Sequence, residues 1–482
     1  MTATAALTDY FAGLSYDDLP PVVTRHCKRL LLDTLACALG GSRSPLGDVS
    51  TRFAAIAAGE ASEASIAGSP RRSTAVAAAS ANGRMAGALD ADDTFTGVGQ
   101  TSHHGAGTVV AALALAERGR ASGGQLLAAI AAGAELGARF DVAVPPRVIA
   151  AAGEHAGGWR VGGGPAGVLS AAVAAANVLG LDAHATMHAV GIAGAHVDMP
   201  PLKWFEAPEA PMVKSMDGGW NAATGVSAGL LAQLGMTGHV DVLDGDTGLW
   251  RAMGYDSFDF AHLAGDLGER WSLLDARFKR WPCQYWMQPS LGAFDQIVRE
   301  QRLQAGEIES VQLRVTTRSS APRFRETQPR GFVTCQFNFP HVAAMLALGR
   351  TPGPLWFDAV AQSDPEVAAF RERVEVEVDP GSAVLAGADP DDRVIRGLPG
   401  AATVRARGRT FTQEAIARDP HDPDAGLSDD ELVQKLRDMT APLRDSDPAW
   451  EARTVALIGL VGELETVADV RALGRLLRPD AQ

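Results

Sequence analysis

The sequence predicts a mainly α protein, in which a large all-α helical domain drawn from both ends of the chain carries a smaller α+β domain between them. Three observations lead there. Apolar residues recur at helical spacing through the first half, strand-like alternation takes over after Trp271, and helical spacing returns from Ser428. The expected division is residues 1–268 plus 419–482 for the helical domain and 269–418 for the α+β domain.

In order, Pro20 to Gly40 carries Val22, Val23, Cys27, Leu30, Leu31, Leu35 and Leu39 as a stripe stopped by Gly40-Gly41. Similar patterns follow at Val49–Ala58, Thr74–Leu89, Gly107–Glu117, Gly124–Phe140, Gly164–Leu179, Ala183–Ala195 and Trp220–Leu234. Most are built from Ala and Gly, which lets helix axes approach closely. Ile308–Thr317, Val374–Val378 and Ala402–Phe411 alternate as half-buried strands do, with helical runs at Pro289–Glu300, Pro340–Leu348 and Leu355–Ala361 between them. Asp419 to Asp424 reads as a turn-rich linker. Leu432, Leu436, Met439, Val455, Leu457, Leu460 and Val461 then predict helices that return to the first domain.

With 482 residues the chain can bury ample core without metals or disulfides. A formal net charge of −14 argues against a nucleic-acid partner. Cys27, Cys37, Cys283 and Cys335 are scattered without a C-x-x-C pair, which speaks against a zinc site, an iron–sulfur cluster or a disulfide framework and for a reducing, cytoplasmic setting. The opening residues lack a basic start followed by an apolar core, and the longest apolar stretch, AGVLSAAVAAANVLGL, is interrupted by Ser, Asn and Gly. Neither a signal peptide nor a membrane span is expected.

The densest chemistry lies between Asn82 and Glu117. Asp90, Asp92 and Asp93 and the adjacent His103 and His104 are set between two small-residue helical runs. His104 falls just before a helix N-terminus, where free N–H groups favour a bound carboxylate. A titratable cluster beside an apolar wall is what acid/base chemistry requires.

The order of motifs resembles the MmgE/PrpD family over nearly the whole chain. LLDTLACALGG is similar to that family's opening helix, ANGRMAGALDADDT to its NG…LDxDDT signature, and HHGAGTVVAALALAE takes the place of its HPS…AALALAE segment. GPAGVLSAAVAAANVLGLD, VKSMDGGWNAATGVSAGLLAQLGMTG, FKRWPC and CQFNFPHVAAMLALG follow in the same order. The resemblance implies that the α+β domain is an inserted lid, that the protein is a homodimer, and that the chemistry needs neither metal nor other cofactor. It also implies a lyase of dehydratase type acting beside a carboxylate on a polycarboxylate or β-hydroxy acid. Decarboxylation, isomerisation and epimerisation use overlapping residues and stay open, as does a relative that binds an acidic metabolite without turning it over.

By the same resemblance His104 matches the family's catalytic histidine, Asp90 and Thr94 its active-site aspartate and threonine, and Lys214 and Lys279 two lysines able to bind carboxylates or polarise an enolate. His103 is a candidate substrate contact. Three positions depart from the family. Arg160 stands where a histidine is usual, and its planar fork suits a carboxylate rather than a proton. Gln284 replaces another histidine, and His341 stands at a lid position usually held by tyrosine. Such an exchange would move an acid/base role to a lid that closes over substrate.

Other signals are weaker. His184 and His188 are one helical turn apart, but no H-E-x-x-H glutamate accompanies them, so no metal is expected. VGGGPAG lacks the G-K-[ST] and the preceding strand of a phosphate loop. VDMPPLKWFEAPEAPM offers Lys203 and Trp204 as pocket contacts or as part of a dimer surface.

Overall fold

The computed structural model describes residues 1–97, 100–145, 164–197, 199, 209–213, 217–319, 321–379, 382, 393–395, 398–415 and 427–480. Helices α1 (Ala3–Gly13), α2 (Pro21–Gly41), α3 (Pro45–Ala58), α4 (Ala75–Gly87), α5 (Gly105–Gly119), α6 (Gly123–Ala143), α7 (Gly164–Val178), α8 (Ala183–Gly194) and α9 (Gly218–Gln233) pack around one another, and the chain is mainly helical. Local chemistry sets their ends. Pro21 opens α2 from the first-turn position where its missing N–H costs nothing, and Ser122 with Gln125 forms a capping box on α6. Small residues let backbones touch. A Cβ on Gly225 would lie 2.4 Å from that of Ala171, so α9 can approach α7 this closely only with glycine there.

Helix α1 escaped the periodicity argument because its core contribution is little more than Leu7 and Phe11, one turn apart, behind a Thr2 cap. Two ribbons of two-residue strands also went unread: β1 (Ala64–Ser65) with β2 (Arg72–Ser73), and β3 (Phe95–Thr96) with β4 (Thr101–Ser102). Such strands are too short for any period to show.

A four-stranded sheet follows, in the order β6 (Val374–Asp379), β5 (Ile308–Thr316), β7 (Ala401–Ala406), β8 (Arg409–Glu414). Strand β5 pairs parallel with β6 and antiparallel with β7, which pairs antiparallel with β8. The single strand expected over Ala402–Phe411 is thus a hairpin. Its turn residues Arg407 and Gly408 both have positive φ, 52° and 67°, which matches the twist of paired strands. Helix Gln288–Glu300 covers β5, β7 and β8, and helix Phe339–Ala347 packs on it and on β6. The helix expected over Leu355–Ala361 is replaced by a 3₁₀ turn at Pro354–Trp356 and a short helix at Ala359–Ser363. Helix Asp429–Met439 then lies along α2, Ala449–Gly462 also touches α2, and Arg471–Leu476 reaches α5. Among the described residues no helix is long and apolar enough to cross a membrane.

Candidate active site

Helix α4 ends in a loop whose carbonyl groups are held by side chains from three distant segments. Asp90 turns the chain with φ of 53°, a left-handed conformation that aspartate tolerates better than most residues. Gln336 Nε2 donates to the carbonyl of Ala88 at 2.9 Å, Lys279 Nζ to that of Asp90 at 2.9 Å, and Lys435 Nζ to that of Ala91 at 2.5 Å. Lys279 Nζ also meets Asp90 Oδ1 at 2.6 Å and lies 3.6 Å from Asp92 Oδ1. Burial pulls the Lys279 ammonium toward neutrality, but Asp90 and Asp92 outweigh it and raise its pKa. Thr94 and Arg277 exchange backbone hydrogen bonds of 2.7 and 2.8 Å, which tie the loop to the segment carrying Lys279.

The helix N-terminus expected to bind a substrate carboxylate is already filled. Asp93 accepts from the backbone N–H of His104 at 3.1 Å and of Gly105 at 2.9 Å, and so caps α5 itself. A tethered carboxylate gives up little translational freedom to sit there, so a diffusing one competes poorly. Burial and the neighbouring Asp92 raise the Asp93 pKa, while His103, His104 and the Gly105 N–H oppose them.

The two histidines differ in reach. His103 donates from Nδ1 to the Asp93 carbonyl, since a carbonyl can only accept; Asp92 Oδ2 is 3.8 Å and Thr94 Oγ1 3.5 Å from the same nitrogen. Its Nε2 is therefore the proton acceptor of the neutral ring. The His103 side chain is 15% exposed against 2% for His104. His104 points inward, its Nε2 3.0 Å from Asp141 Oδ2, although the angles miss those of a hydrogen bond. Its ring sits 5.7 Å from that of Phe95 and over α6, where a Cβ on Gly137 would come within 2.5 Å of Nδ1. Asp141 in turn accepts from Ser102 Oγ at 3.0 Å and from Gln100 Nε2, and Tyr255 donates to Gln100 Oε1 at 3.2 Å.

Asp90, Thr94, His103, His104 and Lys279 thus come together, with Lys279 engaged by Asp90 rather than open to a substrate. Arg160, Lys203 and Lys214 lie outside the described residues. Gln284 is half-buried near the cluster, its backbone N–H on the Gln336 carbonyl at 3.1 Å, but its side-chain oxygen caps a 3₁₀ turn through Trp286 N–H at 2.8 Å. Asp141, Gln336, Lys435 and Asp33 belong to the network and were not singled out by sequence. Asp141 had one available signal, an acid within an otherwise apolar helical run; Lys435 had none, because its helix reads as an amphipathic surface helix.

His341 does not join the cluster, contrary to the expected lid role. It is fully buried, its Nε2 donates to the Trp356 carbonyl at 2.6 Å, and its ring lies 5.9 Å from that of Phe357. Burial holds its pKa down to about 4, with Arg371 adding to the effect and the Trp356 carbonyl opposing it. A histidine lowered in this way stabilises the fold fully above about pH 6.5 and loses that contribution as pH falls toward 4. His341→Phe should leave kcat near wild type, while the wild type's stability margin over it shrinks by on the order of 3 kcal/mol between pH 6.5 and 4. His26, held to about 3 by burial and by Arg29 and Arg277, acts in the same direction, and Asp33, raised to about 6 by burial, acts in the opposite one. Both are common to the two proteins and cancel in the difference. Urea unfolding across that range measures it; a variant tenfold slower with an unchanged margin would return His341 to the reaction.

Among the described residues no three His, Cys, Asp or Glu side chains are placed to hold a metal ion. His184 and His188 stack edge to face at 4.5 Å as a pair.

Fold and site define a class: a mainly helical scaffold that gathers carboxylates, lysines and histidines around one loop. Residues 5–261 match the MmgE/PrpD N-terminal domain and residues 281–457 the MmgE/PrpD C-terminal domain. The chain belongs to the MmgE/PrpD family, and it is an enzyme of the dehydratase and decarboxylase type. It is 27% identical to the cis-aconitate decarboxylase-like protein oryM of Aspergillus oryzae, over 98% of this chain and 97% of that protein. It is 26% identical to the cis-aconitate decarboxylase of Homo sapiens, over 98% and 95%. It is 28% identical to a cis-aconitate decarboxylase of Aspergillus terreus over 58% of this chain and 57% of that one.

Proposed function

We propose that this enzyme is a cofactor-independent lyase that moves a proton at a carbon beside a carboxylate, on a polycarboxylate or β-hydroxy acid, with dehydration as the first reading. The observation that carries it is His103: half-buried next to Thr94 and Asp92, with Nδ1 pinned to the Asp93 carbonyl and Nε2 left as the acceptor. In dehydration Nε2 takes the proton from the carbon α to the carboxylate, the double bond forms as the β C–O bond breaks, and the imidazolium gives that proton to the departing hydroxide, which leaves as water. Decarboxylation is the second reading, favoured by the names of the relatives. There carbon dioxide leaves first and the protonated Nε2 delivers its proton to the carbanion.

His104 stands behind His103 against Asp141, a burial that suits orienting the site better than touching substrate. The developing negative charge calls for cations. With Lys279 engaged by Asp90, we assign that role to Lys214 and to the bidentate fork of Arg160, with Lys203 a further contact. The fold's division into a helical domain and an inserted lid, a homodimeric assembly and a cytoplasmic location are part of the same reading.

Incubating the protein with citrate, 2-methylcitrate, cis-aconitate and related acids in deuterated water, followed by product NMR, tests it. Loss of water, or loss of carbon dioxide with one deuterium on the carbon that receives the returned proton, is expected for at least one acid. Absence of both turnover and exchange across the panel would overturn the reading.

A further inference from the structure

The two lysines that hold the Asp90–Asp93 loop come from distant segments of the chain, and only Lys279 lies in a motif read from sequence. The other, Lys435, lies on helix Asp429–Met439 and is 3% exposed. Its ammonium donates to Asp33 on α2 and, at 2.5 Å, to the carbonyl of Ala91. Asp33 and Ala91 are fully buried, so neither has water as a substitute partner. Adjacent carbonyls, Asp90 and Ala91, are thus gripped by Lys279 and Lys435 respectively, and the first of them belongs to the residue with the left-handed backbone.

From this we infer that Lys435, oriented by Asp33, is a positioning residue: it sets the peptide planes of the aspartate loop, and through Asp93 the place and proton of His103. This rests on the lyase reading for its effect on turnover. The route is short. Turning the Ala91 peptide would swing Asp92 and Asp93, and Asp93 both caps α5 and holds His103 Nδ1 through its carbonyl. The helix is well anchored for this purpose. Arg25 pairs with Asp429 at 2.9 Å from α2, and Arg280, next to Lys279, pairs with Glu431 at 2.9 Å. Loss of Lys435 would also leave Asp33, Asp90, Asp92 and Asp93 facing Lys279 as the remaining lysine of the network.

The test compares wild type, Lys435→Met, and the double variant Asp33→Leu/Lys435→Met. Replacing both members of a buried ion pair by apolar residues is often neutral for stability, so the double variant separates folding from positioning. Melting temperature, kcat and KM are measured, together with the ring tautomer of His103 by selective ¹⁵N-histidine NMR without substrate. His103 Nδ1 is held by the Asp93 carbonyl, so a displaced loop should free that nitrogen and mix the two tautomers of the ring in both variants. We expect kcat to fall by about 10²-fold in both, the scale of a misplaced catalytic group, with KM little changed, even where the double variant regains the wild-type melting temperature. Recovery of kcat and of the wild-type His103 tautomer together with stability would make Lys435 a merely structural residue and overturn the inference. If wild type turns over no acid at all, the lyase reading falls, and the His103 tautomer alone decides the role of Lys435.

Discussion

His103→Gln should lower kcat by about 10²–10⁴ while leaving the melting temperature and substrate binding close to wild type, the usual scale for loss of one acid/base group. Glutamine can keep a hydrogen bond to the Asp93 carbonyl but carries no titratable proton, so the chemical step alone is removed. His104→Gln behaves differently. It breaks the approach to Asp141 within a sealed pocket shaped by Gly137, and the first effect expected is on stability. Steady-state kinetics with thermal unfolding on both variants discriminate the two. Near-normal kcat for His103→Gln, with a collapse for a folded His104→Gln, would return proton transfer to His104, the residue the family pattern points to.

Lys279→Met should cost about 3–5 kcal/mol of stability, the scale for removing one partner of a buried ion pair. Three contacts are lost together, to the Asp90 carboxylate, the Asp90 carbonyl and Asp92, and none of these groups can turn to bulk water without moving the loop. Asp90→Asn in the same background should recover part of that loss, because a neutral amide tolerates the site better than an uncompensated carboxylate. Urea unfolding at neutral pH measures both. A single variant within about 1 kcal/mol of wild type would mean that the ammonium is spare, and would restore Lys279 as a free carboxylate-binding group of the kind the sequence suggested.

The sequence by itself determined the helical character, the place where strand alternation begins, and the aspartate–histidine stretch as the chemical centre. These are repetitive or dense local signals: side-chain period carries the first two, and the crowding of titratable residues the third. It also placed Asp90, Thr94, His103, His104 and Lys279 in one neighbourhood through their motifs. What it could not determine was which polar group spends its bonds on which other. Asp93 closes the helix end that looked open to substrate, Lys279 is engaged by Asp90, and His341 is sealed against Trp356. Asp141 behind His104 and Lys435 under Ala91 come from residues distant in the chain, separated from their partners by 37 and by 344 positions. Those choices belong to tertiary structure, because a buried donor takes whichever acceptor the packing of distant segments brings within about 3 Å, and no local pattern records that distance.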